Sequence, residues 1–120
     1  MTTRPFIAKN GLEINGAFTK NVGTVTSNDL DLSTGDYFNL TLSGATTITF
    51  SNPAASGKTS RFILEVTGAS GATASYPAAV AWPGGSAPAA PGIGEVDIIE
   101  FETRDGGTTY YAVQVIDNAS

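Results

Sequence analysis

The chain has 120 residues and a mass of 12.3 kDa, enough for one domain. Six Lys and Arg face 11 Asp and Glu, a net charge of −5, so no nucleic-acid partner is expected, because such partners are gripped mainly by cations on phosphates. Cysteine and histidine are both absent. Their absence excludes disulfides, thiolate metal sites and the usual base near neutral pH. Neither an enzyme nor a cofactor is therefore expected.

Residues 1–22 differ from the rest. They carry Arg4, Lys9 and Lys20 against one acid, Glu13, and their apolar residues (Phe6, Ile7, Leu12, Ile14, Phe18) lack clean alternation. The opening stretch has no continuous apolar run of the signal-peptide kind, and no run anywhere approaches the roughly 18 residues of a membrane span. Synthesis in a cytoplasm and no membrane partner are expected. The segment reads either as a basic arm that docks on a neighbour or as a first edge strand on its own domain.

Residues 23–120 form the expected body. In Asp29-Leu30-Asp31-Leu32 the leucines are expected inward and the acids outward, although paired acids on one strand face can also begin a calcium site. Phe38, Leu40 and Leu42 share one face of the next strand, and Ile48 and Phe50 continue the alternation. Ser56-Gly57-Lys58-Thr59 resembles the end of a phosphate-binding loop, but Asn52 stands where its first glycine belongs, and a strand (Phe62, Leu64 and Val66 inward) follows instead of a helix. Nucleotide binding is rejected.

Trp82, the only tryptophan, sits in a Pro/Gly-rich stretch. Closing one end of the core is the favoured role, and stacking on a sugar or plugging a partner's pocket is the alternative. In Glu95–Thr103, Val96 and Ile98 lie in one phase and Ile99 and Phe101 in the other. A bulge at Ile98-Ile99 would turn all four inward, and a short helix is the alternative, disfavoured by the β-branched residues and the turn that follows. Glu100 and Glu102 have the spacing of a glycosidase dyad but read more simply as a solvated face. Asp105-Gly106 then predicts a hairpin into a last strand, where Tyr111, Val113 and Val115 alternate with Tyr110, Ala112 and Gln114.

Short strands between regular turn signals predict an all-β, single-domain β-sandwich of jelly-roll type with an extended N-terminal arm, its strands antiparallel. Its core is thin: Leu, Ile, Val and Phe supply 27 of 120 residues, little above the roughly 20% at which chains fail to fold. Part of the missing burial is expected from a partner or from identical copies.

Several stretches resemble structural proteins of tailed bacteriophages, particularly those of cyanobacteria. They are Arg4-Pro5-Phe6-Ile7-Ala8-Lys9-Asn10-Gly11-Leu12, Asp31-Leu32-Ser33-Thr34-Gly35-Asp36-Tyr37-Phe38, Phe50-Ser51-Asn52-Pro53, Trp82-Pro83-Gly84-Gly85-Ser86-Ala87-Pro88 and Thr103-Arg104-Asp105-Gly106-Gly107-Thr108-Thr109-Tyr110. The resemblance implies a β-rich, non-enzymatic, often trimeric virion component. Fibre proteins of this kind carry the module behind a long shaft, and these 120 residues contain none. The expectation is therefore a capsid decoration (cement) protein, a homotrimer on the virion, whose partners are the major capsid protein or other virion proteins. The alternative is a tail-fibre tip binding host glycans. Arg4, Pro5, Phe6, Ile7, Lys9 and Trp82 are the candidate assembly residues. No catalytic, cofactor-binding or metal residue is expected.

Overall fold

A computed structural model describes residues 6–25 and 27–120. The body is all-β. Its strands are β1 (Gly23–Thr24), β2 (Asp29–Asp31), β3 (Tyr37–Thr41), β4 (Ala45–Thr47), β5 (Thr49–Ser51), β6 (Ser60–Thr67), β7 (Thr73–Ser75), β8 (Val80–Ala81), β9 (Val96–Thr103) and β10 (Tyr110–Ala119). One sheet runs in the order β1-β3-β6-β9-β10-β8, and two ribbons, β2-β5 and β4-β7, complete the pairing.

The expected antiparallel pairing holds only at β6-β9 and β9-β10. β3 lies parallel on β1 and β6 parallel on β3, while β5 on β2, β7 on β4 and β10 on β8 are parallel as well. From β1 to β7 the chain therefore winds as a coil, each circuit laying strands beside those of the one before. Parallel neighbours need a connection of a dozen residues or more. Here the connection from β3 to β6 contains β4 and β5, which themselves pair with other circuits. Alternation within a strand reveals its buried face but not the direction of its partner.

The large sheet turns Phe38, Leu40, Phe62, Leu64, Val66, Ile99, Phe101, Tyr110 and Ala112 inward, where they meet Leu30, Leu42 and Ile48, with Phe50, Ala74 and Tyr76 packed alongside. Phe62 and Phe101 are cross-strand partners whose rings stack at 5.1 Å. Phe50 reaches across from its ribbon and presents an edge to both, with each centroid 5.1 Å away.

The bulge expected at Ile98-Ile99 is absent. β9 alternates without interruption, burying Asp97, Ile99, Phe101 and Thr103 and turning Val96 and Ile98 outward. The irregularity lies opposite, in β10, where the register slips after Gln114 and again after Ile116. Asn118 there adopts positive φ (52°), and its backbone N–H, released from the ladder, donates to the Asp97 carboxylate at 2.8 Å. A buried aspartate on the inner face is the counterpart of that slipped register.

Burial raises the pKa of Asp97 above the ordinary 3.8, and the Asp117 charge adds to it, against the Asn118 N–H and the Gln114 side chain, which lower it. A raised acid keeps its stabilising, neutral form below pH 3.8. As pH climbs toward the folded-state value, the unfolded chain ionises first and stability falls. Asp97→Asn keeps the acceptor and removes the charge, so the variant should melt higher than wild type at pH 7 and lose this decline above pH 3.8. Equal or lower melting at pH 7 would mean that the carboxylate is not penalised. Asp31 and Asp105 act oppositely: hydrogen bonds from Ser33 and from Thr109, respectively, hold them below 3.8, so their contribution disappears as pH falls through their folded values.

Candidate interaction surface

The polar groups with catalytic or ligand-binding spacing are engaged within the fold. Asp29 accepts from Thr49 Oγ1 (2.7 Å) and Ser51 Oγ (2.6 Å) on the adjacent strand. Asp31 accepts from the Ser33 backbone and hydroxyl and from Asn52 Nδ2. Both acids face out while Leu30 is buried and Leu32 half-buried, so the pair laces one circuit to the next. Glu100 and Glu102 share Arg61, whose Nη2 donates to Glu102 at 2.9 Å and whose Nε lies 3.7 Å from Glu100. Gly57-Lys58-Thr59 forms a turn into β6, with Gly57 at φ 90°.

The structure separates the candidate assembly residues. Arg4 and Pro5 lie outside the described residues. Phe6, Ile7 and Lys9 sit on an exposed, strand-free segment, with Phe6 85% and Ile7 71% exposed. That segment is anchored at its base, where Lys20 Nζ pairs with Asp36 and lies 5.5 Å from the Phe18 ring centroid. Trp82 is elsewhere: half-buried, it packs against the core, in T-shaped contact with Tyr76 at 5.0 Å and Phe101 at 5.8 Å.

A second apolar surface escaped the sequence reading. Tyr111, Val113, Val115 and Ile116 are the large exposed apolar residues of β10, and Tyr110 and Ala112 its buried ones. With the half-buried Ile63 and Ile98, Tyr111, Val113 and Ile116 form the outer face of the large sheet, in rungs such as Tyr37–Ile63–Glu100–Val113 and Asn39–Glu65–Ile98–Ile116. An open groove of about 630 Å³ runs from Lys20 and Val22 across Tyr37 and Ile63 to Glu100. Glu100 also borders a smaller hollow beside Tyr111 and Val113. A signal for this face existed. Once Phe101 is inward, a turn centred on Asp105-Gly106 or on Gly106-Gly107 places Tyr110 and Ala112 inward too, since both centres give the same parity.

The class defined by these features is an all-β domain with a charged, partly apolar sheet face and a projecting apolar segment. No protein-family model, curated protein or solved structure matches the chain.

Proposed function

We propose that the chain is a structural protein of a tailed-phage virion, specifically a capsid decoration protein. It acts as a homotrimer that strengthens the head by bridging subunits of the major capsid protein, and it needs no enzymatic step or cofactor. The carrying observation is the segment 6–22, which holds Phe6, Ile7, Leu12, Phe18 and Val22 in solvent. Free energy favours covering such residues. Supporting it is the charge division, with three cations and one acid in residues 1–22 against three cations and ten acids in the remainder.

Co-sedimentation with tailed-phage heads stripped of accessory proteins tests the reading. The full chain should pellet with heads, and a variant lacking residues 2–15 should stay in the supernatant while its far-UV circular dichroism and melting match the full chain. A truncated protein that coats heads equally well would remove the arm from the account. A full chain that binds no head at all would remove the capsid.

A further inference from the structure

We propose that the outer face of β9 and β10 is the receptor for the N-terminal segment of a second copy of this chain. The inference rests on the reading above only for the idea that copies assemble, and it requires no capsid.

Apart from Ile93, the large exposed apolar side chains among the described residues fall into two groups, one on residues 6–22 and one on β10. Each lacks a cover. Residues 6–18 are exposed throughout, and the segment meets its own body at its base, through Lys20, Asn21 and Val22. The accessible surface, 7857 Å², exceeds the roughly 6,100 Å² typical of a folded monomer of this mass. β10 also presents an open edge, since β8 pairs with it only at Tyr110 and Tyr111. Exposed edges of this length are normally blunted or covered.

Charge selects the occupant. The outer face carries Glu65, Glu100 and Glu102 against Arg61, which already spans the last two. Two such faces laid against each other would bring like charges together, which disfavours a symmetric face-to-face pair. The N-terminal segment has the opposite balance, with Lys9 between the apolar pair Phe6-Ile7 and Leu12. Its side chains match the Ile98, Val113 and Tyr111 surface, and Lys9 the Glu100–Glu102 edge. Because donor segment and receptor face are different surfaces, the contact is head-to-tail, and a rotation that closes on itself gives a ring.

The test uses the purified full chain. Unlabelled and ¹⁵N-labelled protein are mixed, treated with a carbodiimide that joins lysine to carboxylate directly, and digested for mass spectrometry. Parallel samples are sedimented to obtain mass. The expected result is Lys9–Glu100 or Lys9–Glu102 peptides of mixed isotope, together with a mass that is a multiple of 12.3 kDa. Val113→Lys, an exposed substitution, should weaken assembly about tenfold or more without changing the melting of the monomer. Tyr111→Lys serves as the second variant. Cross-links of one isotope only would place the segment on its own body. A monomer at tens of micromolar, or an assembly that survives deletion of residues 2–15, would equally overturn the proposal. Loss of head binding with mixed cross-links intact would count against the capsid reading alone.

Discussion

Phe62→Ala is expected to lower the unfolding free energy by about 3–5 kcal/mol, the range for emptying a fully buried aromatic site. Phe62 is 2% exposed and central to the aromatic cluster. It stacks on Phe101 and meets the edges of Phe38 (6.3 Å), Phe50 (5.1 Å) and Tyr110 (6.1 Å). These partners come from β3, β5, β9 and the start of β10, so one truncation loosens the coil, the hairpin and the ribbon together. A domain of this size has roughly 5–15 kcal/mol in hand, and its aliphatic supply is small. In urea the transition midpoint should fall steeply with little change in slope. Phe62→Leu should recover part of the loss, because it refills part of the volume. A Phe62→Ala midpoint close to wild type would mean that the cluster relaxes into the space and that the core is not the close-packed one described.

The sequence already pointed to much of this cluster. Phe38, Leu40, Leu42, Ile48, Phe50, Phe62, Leu64 and Val66 announce their shared faces by strict alternation, and all but the half-buried Phe50 are buried. Pairing direction was not legible, because the clusters at residues 51–57 and 68–71 look alike whether they close a hairpin or turn a coil. The phase of β9 was obscured by Asp97, a buried acid whose justification, the Asn118 N–H, lies 21 residues away. In β10 the more apolar set, Tyr111, Val113 and Val115, points outward. Size and hydrophobicity mislead there if that face is built to be covered by another chain. Of the candidate assembly residues, Phe6, Ile7 and Lys9 remain together on the exposed segment, whereas Trp82 packs against the core.

Gly68→Ala should be about as costly as emptying an aromatic site, for a reason that no side-chain pattern reveals. Gly68 follows β6 and bridges the segment that enters β9. Its N–H donates to the Glu95 carbonyl at 2.9 Å, and its carbonyl accepts the Gly94 N–H at 3.1 Å. A methyl group there would collide with the carbonyl oxygens of Pro91 and Gly92 and lie 2.8 Å from the Pro91 carbonyl carbon. These are backbone atoms held by the Glu95–Gly92 hydrogen bond and by the burial of Pro91, so they cannot swing aside as a flexible side chain would. Overpacking typically costs about 1–3 kcal/mol and more where backbone must move, so a loss of about 3 kcal/mol is expected. That outweighs the roughly 0.4–1 kcal/mol an alanine gains by restricting the unfolded chain. Gly35 supplies the control. Its nearest obstacle, the Asn21 carbonyl oxygen, is 3.7 Å from a built Cβ, so Gly35→Ala should be neutral or slightly stabilising. Urea unfolding of the two variants separates backbone contact from a general intolerance of alanine. A Gly68→Ala protein as stable as Gly35→Ala would mean that residues 91–95 do not pack against the end of β6, and the route by which the coil passes into the hairpin would have to be redrawn.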